Sequence, residues 1–268
     1  MTIRLMRCDL HVHSRHSGAA ALPVIGRLGR ECHSEPMAVY ETARARGMDL
    51  FTLTDHDSIA GCLELAGRPD TFVSEEVTCL LPGGRQVHLG VFDLTEPQHE
   101  GIAARRADAQ GLFAYLAEQR IPACLNHPFS GLTGARETGD LLAAFDAVRL
   151  VETRNGMIPA TCNRRAAEAA RDTGRAECGG SDAHTLASVA RSWTAVKAAT
   201  REEFLAGLRA ARVIPVGRSG TYARLTRDVG AIVAGGLSER FREPVTGILD
   251  ALSGVATAFL IPATLLVP

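Results

Sequence analysis

At 268 residues, 46% hydrophobic and 22% charged, the chain has the composition of one large globular domain, alone or with an appendage, and not of a disordered or fibrous protein. A formal net charge of -1 gives no sign of the strong basic excess that general nucleic-acid affinity usually shows, so any phosphate recognition is expected to be local. Seven cysteines, odd in number and without a Cys-x-x-Cys pair, read as small buried hydrophobes in a reducing compartment. Arg4, Arg7 and Asp9 interrupt any early apolar run, which argues against a secretory signal and for a cytoplasmic location.

Leu5 to Leu10 reads as the first strand, and it delivers Asp9-Leu10-His11-Val12-His13-Ser14. Strand side chains alternate faces, so His11 and His13 point the same way and can share one metal ion. After a loop over Ser14 to Cys32, a helix begins past Ser34 with Pro36 in its first turn and stops at Gly47. Met48 to Thr54 is the second expected strand, ending at Thr54-Asp55-His56-Asp57, and Ser58 caps a short helix through Ala66.

Thr71 to Leu80, which contains Glu75 and Glu76, and Gln86 to Leu94 are extended runs joined by a hairpin-like turn at Pro82-Gly83-Gly84. Glu100 to Gln119 reads as one amphipathic helix and Ile121 to Leu125 as a strand ending at Asn126-His127-Pro128. A helix over Leu141 to Phe145 precedes a strand from Val148 to Val151 that ends at Glu152; an alanine-rich helix over Asn163 to Asp172 follows. Arg175 to Cys178 leads into Gly180-Ser181-Asp182-Ala183-His184. Beyond it come a strand at Trp193 to Lys197, a helix at Glu202 to Ala211 and a last strand at Val213 to Val216. The alternation predicts a parallel α/β sheet closed as a barrel, with functional residues at the C-terminal strand ends. From Ala251 to the terminus there is no charged residue, an apolar extension suited to a helix packing on the domain, on a partner or at a membrane.

Taken in order, Asp9-Leu10-His11-Val12-His13-Ser14, Leu53-Thr54-Asp55-His56-Asp57, the Glu76 run, Asn126-His127-Pro128 and Gly180-Ser181-Asp182-Ala183-His184 resemble the polymerase and histidinol phosphatase (PHP) family over residues 5–220. The resemblance implies a distorted seven-stranded β/α barrel, TIM-like, over residues 1–225, with 226–268 as the apolar extension. It also implies two or three divalent ions, zinc, manganese or iron, among which the residue types do not choose. Carried over, His11 and His13 bind the first ion with Asp182, and Glu76 bridges the first and second while Glu75 faces away. His127 binds the second ion with His99, His88 being the rival. His56 and His184 bind a third, and Asp55 and Asp57 orient imidazoles or cap the next helix.

Relatives often place an acid or histidine five or six residues past the second histidine; Gly18 and Ala19 stand there, with His16 or His33 as possible substitutes. His88 alone, just after an exposed turn, reads more simply as a surface or supporting residue. The implied activity is phosphoester hydrolysis, in which metal-activated hydroxide attacks phosphorus in line. Glu76 and His184 are its catalytic candidates, and Arg15, Arg154 and Arg191 are candidates to grip phosphate. The expected substrate is a small phosphomonoester or a nucleotide or oligonucleotide end. A sugar, amino-alcohol or phosphoprotein phosphatase, an amidohydrolase and a non-catalytic metal module are the alternatives.

Overall fold

A computed structural model of the chain describes residues 3–18, 30–82, 84–131 and 138–240. The first strand, β1 (Arg4–Asp9), pairs in parallel with the short β2 (Leu50–Phe51) and antiparallel with β8 (Ser192–Ala198), to which β9 (Ile214–Gly217) adds, giving the order β2-β1-β8-β9. A second sheet runs β3 (Ser74–Leu81), β4 (Arg85–Phe92), β5 (Ala123–Asn126), β6 (Leu150–Asn155) and β7 (Ala176–Gly180). Its first two pairings are antiparallel and its last two parallel. The tight connection after Leu81 allows β3 and β4 no other sense, because a parallel pair needs a long crossover.

The fold is therefore mixed α/β; the distorted seven-stranded barrel that the resemblance implies is not confirmed, since among the described residues nine strands lie in two sheets that do not close into one ladder. Isolated bridges cross the two seams, Phe51 to Thr71 and His56 to Glu76 at one, Val12 to Ala183 at the other. The expected strand from Met48 to Thr54 shrinks to two residues because threonine hydroxyls take over its bonding. Thr52 Oγ1 donates to the Phe72 carbonyl at 2.8 Å, and Thr54 Oγ1 accepts from Val12 N at 2.9 Å.

Eight α-helices flank the sheets among the described residues. The first, α1 (Pro36–Ala45), has proline in its first turn and is followed by Gly47 at φ 84°, as the sequence suggested. A short α2 (Ala60–Leu63) follows β2. The single helix expected over residues 100–119 is two, α3 (Glu96–Ala103) and α4 (Ala109–Glu118). A capping box between Thr95 and Gln98 starts α3 early, and extended backbone at Asp108, φ −124°, separates the pair. They fold on each other at Gly101, where a Cβ would meet the Tyr115 ring. The remaining helices are α5 (Leu142–Ala147), α6 (Ala160–Asp172), α7 (Arg201–Arg209) and α8 (Tyr222–Arg240).

An apolar floor of Cys8, Leu10, Phe92, Cys124, Leu150 and Cys178 supports the ends of the strands that carry the motifs. All seven cysteines are free thiols, and all but Cys162 are buried. The boundary expected after residue 225 falls inside α8, which continues without a break. The apolar run from Ala251 lies outside the described residues, and no described helix is long and apolar enough to cross a membrane.

Candidate metal centre

The site begins with a buried acid, Asp9, at the end of β1. Its carboxylate accepts from Ser181 N and Ala190 N at 2.8 Å each, from His11 N at 3.3 Å and from the Ser181 hydroxyl. Burial pushes its pKa up to about 6, with these donors opposing the shift. Asp9 thereby joins β1 to the segment after β7, and Asp182 N donates to the His11 carbonyl at 2.6 Å across the same seam. Asp182 and His127 hold φ of 52° and 28°, left-handed backbone that costs a non-glycine residue on the order of 1 kcal/mol or more and that packing must maintain.

Glu76, fully buried on β3, is the hub. Its Oε2 lies 3.1 Å from His11 Nε2, 3.3 Å from His56 Nε2 and 3.5 Å from His13 Nε2. Its Oε1 lies 3.1 Å from His127 Nε2 and 3.4 Å from His88 Nδ1, and accepts from Asn126 Nδ2 at 3.0 Å. Asp182 Oδ1 stands 3.4 Å from both His11 Nε2 and His13 Nε2. On the far side of His13, Glu31 Oε1 is 3.4 Å from His56 Nε2 and 3.7 Å from His184 Nε2.

Four sets of donor atoms converge closely enough to hold an ion: His11, His13 and Asp182; His11, Glu76 and His127; His13, His56 and Glu76; and His13, Glu31 and His184. Buried His13 Nε2 and His88 Nδ1 face this cluster with no hydrogen-bond partner, as free ligand atoms would. Imidazole with carboxylate oxygen is a donor set for zinc, manganese or iron. The residues present fit divalent ions.

Charge in the cluster is apportioned by burial and proximity. Burial opposes the ionised form of Glu76, yet His11, His56 and His88 hold its carboxyl well below the usual range. Asp182 and Glu31 are likewise pulled down by surrounding imidazoles against the effect of burial. Burial disfavours protonation of His11 and His184, but the facing carboxylates prevail, raising His11 well above its ordinary value and His184 to about 9. His13 and His88, where burial dominates, fall to about 4.

The structure brings His11, His13, His56, Glu76, His127, Asp182 and His184 together, and it moves one expected ligand. His99 sits on α3, partly exposed, with Nδ1 2.9 Å from Glu75, while His88 occupies the cluster in its place. His16 pairs with Glu64 and His33 with Glu239, so neither fills the gap noted near Gly18; Glu31 does. Ala19 lies outside the described residues. Asp55 accepts from Ser14 N and Oγ, and Asp57 from Thr78 N while pairing with Arg106.

Arg15 is engaged by Glu35 and Glu64, Arg154 is exposed on β6, and Arg191 donates to the Ala187 carbonyl. None of the three reaches the cluster through a hydrogen bond or ion pair seen among the described residues.

Sequence reasoning missed Glu31, Asp9 and Glu152 as parts of the site. Glu152 Oε1 pairs with His11 Nδ1 at 2.9 Å; Oε2 accepts from His127 N at 3.0 Å and Asn155 Nδ2 at 2.8 Å. A carboxylate on Nδ1 keeps a proton there and leaves Nε2 for a metal. The available signal was an acid embedded in the apolar run Leu150-Val151-Glu152; Glu31 had none.

A family model described as PHP-associated matches residues 161–213. Among solved structures, the chain is similar to a two-domain protein from Bacteroides vulgatus containing a predicted PHP-like metal-dependent phosphoesterase, at 17% identity and TM-score 0.61, over 84% of this chain and 69% of that one. It is also similar to PsfC from Pseudomonas syringae, at 17% identity and TM-score 0.57, over 88% and 99% of the two chains. An amidohydrolase from Chromobacterium violaceum, with bound sulfate and no metal, matches at 18% identity and TM-score 0.54, over 77% and 97%. No functionally curated protein matches the sequence.

Proposed function

We propose that this chain, a protein of the PHP family by its motif order, its fold and its PHP-associated segment, hydrolyses a small phosphomonoester or a nucleotide or oligonucleotide end with the help of divalent ions. The observation that carries the reading is the position of Glu76, whose two oxygens together face five imidazoles. A carboxylate so placed suits a bridge between two ions. His11, His13, Asp182 and Glu76 would hold a first ion. Glu76, which lies within 3.4 Å of His88 and His127, would hold a second with them, and Glu31, within 3.7 Å of His56 and His184, a third. Bound ions supply positive charge against the phosphate oxygens and acidify water near neutral pH.

The chain's own groups do the rest. Glu152 fixes the tautomer and angle of His11, Asn126 holds one oxygen of Glu76, and Asn155 Nδ2 holds Asp182 at 3.1 Å. With only the first two ions bound, His184, partly exposed and protonated beside Glu31, would give a proton to the leaving oxygen; a third ion held by its Nε2 would take that role from it.

Arg224, half-buried, donates to the Gly156 carbonyl at 3.3 Å, and its pKa is lowered by burial and by the nearby charges of Arg191, Arg227 and Arg218 against Asp228. Such a local group of guanidinium charge would suit a small phosphorylated molecule, without the long basic groove that polymeric nucleic acid needs.

The test is elemental analysis of protein purified without a metal-affinity tag, paired with hydrolysis of a generic phosphomonoester and of a matched amide before and after chelation. Two or three equivalents, with phosphoester hydrolysis lost on chelation and restored by Mn²⁺, Zn²⁺ or Fe²⁺, is the expected result. Hydrolysis of the amide alone would move the reading to an amidohydrolase. Metal content below one equivalent after reloading would overturn it.

A further inference from the structure

The last described helix, α8, runs across the position where the sequence placed the end of the domain, and one stripe of it touches both segments that supply the proposed third ion position. Asp228, Gly235 and Glu239 are spaced seven and four residues apart, which at 3.6 residues per turn sets them on one face.

Asp228 is 1% exposed; it accepts from Thr185 Oγ1 at 3.2 Å and from the Ser188 hydroxyl. That turn begins immediately after His184. Gly235 lies against His33, where a Cβ would stand 2.6 Å from ring Cδ2, and Glu239 is 3.0 Å from His33 Nδ1. His33 is two residues past Glu31. One rigid rod thus holds the Glu31 segment at one point and the His184 segment at another.

The other ligands are fixed without α8. Asp182 is held by its amide on the His11 carbonyl and by Asn155, and His11 by Glu152. Glu76 and His88 stand within strands, and His127 immediately follows β5. The His33–Glu239 pair is too exposed to contribute much, so the close Gly235 contact and buried Asp228 carry the clamp.

We infer that α8 is a working part of the metal centre and that Asp228 is a positioning residue which, through Thr185 and Ser188, sets His184 against Glu31 and so governs the third ion position selectively. The inference rests on the three-ion reading above.

The test uses the full chain and three proteins: wild type, Asp228→Ala and Asp228→Asn. Each is titrated with Mn²⁺ and with Zn²⁺, and hydrogen exchange over residues 184–190 is followed in the metal-free state. In Asp228→Ala, affinity at the weakest position should fall about tenfold or more while the other two stay within about twofold, and exchange in 184–190 should quicken. Asp228→Asn, whose amide oxygen still accepts a hydroxyl bond, should recover most of both.

Asp228→Ala with three wild-type affinities, or with all positions lost together, would overturn the inference, the second outcome marking a merely structural role. Unchanged exchange in the metal-free chain would overturn it independently of any metal. Wild-type protein saturating at two equivalents would remove the third position itself and with it the inference, while leaving the dinuclear phosphoesterase standing.

Discussion

Replacing Glu152 with glutamine removes no volume and tests how the site is oriented. In the structure one oxygen faces His11 Nδ1 at 2.9 Å and the other faces two donors, His127 N and Asn155 Nδ2. Glutamine has one acceptor oxygen and one donor nitrogen, so it cannot serve both sides. With its NH₂ toward His11, the ring must accept at Nδ1, and its proton moves to Nε2, the atom 3.1 Å from Glu76 and 3.4 Å from Asp182. With its NH₂ toward His127 N, two donors meet in a buried place. Loss of such a partner to a ligand typically weakens metal binding by about 10–100-fold, or roughly 1.4–2.7 kcal/mol. The stranded buried donor costs the metal-free fold about 1–3 kcal/mol, a melting shift on the order of 2–10 °C for a chain of this length. Isothermal titration with Zn²⁺ and melting with and without metal measure both quantities. A first-ion affinity within about twofold of wild type, at unchanged melting temperature, would refute the role assigned to Glu152.

Two further predictions concern the histidines. His88→Ala should lower bound metal and phosphoester hydrolysis together, by about 100-fold in rate, whereas His99→Ala, at a ring paired with Glu75 on α3, should leave both within about twofold; the reverse pattern would restore His99 as the ligand. For the metal-free chain, His184 has its pKa raised to about 9 in the folded state, against an ordinary value of 6.5. A raised histidine pKa stabilises the fold fully below the unfolded value and loses that contribution as pH rises through the folded one. Melting temperature should therefore fall between pH 6.5 and about 9, and Glu31→Gln should flatten that decline; an unchanged slope in the variant would show that Glu31 does not hold the His184 proton.

The motifs were legible because each sits where a strand ends, and strand ends can be located from apolar runs and turn residues without knowing the topology. His11, His56, His127 and Asp182 follow such runs directly. His88 does not: it lies inside β4, where Val87, Leu89 and Val91 share one face, and His88 shares the other with Gly90 and Phe92. Phe92 points into the floor beneath the site, so period-two alternation places His88 above it, a signal outweighed by the exposed turn just before. Glu31 could not be found by spacing, since it enters the cluster from well beyond the His11-Val12-His13 motif and no local pattern places it there. The mixed sheets were half-visible: a two-glycine turn at Pro82-Gly83-Gly84 already implied an antiparallel pair, which a purely parallel barrel does not contain.

The same geometry explains how so many ionisable groups can be buried together. Glu31, Glu76 and Asp182 are held below the usual carboxylate range, and each has an imidazole facing it whose pKa is raised: His184 faces Glu31, His127 faces Glu76, and His11 faces both Glu76 and Asp182. These three buried carboxylates thus each face a protonated imidazole, and Glu152 faces His11 from its other side. His13 and His88, pushed down to about 4, stay neutral between them. Cations would displace protons that the fold already accommodates, so metal binding should release protons and weaken as pH falls. Both seams between the sheets lie at this balanced cluster: His56 bridges Glu76 across one, and Val12, between His11 and His13, bridges Ala183 across the other. Where the backbone ladder is thinnest, side-chain ionic contacts cross the gap, and divalent ions at the same place would couple the two sheets through the residues that bind them.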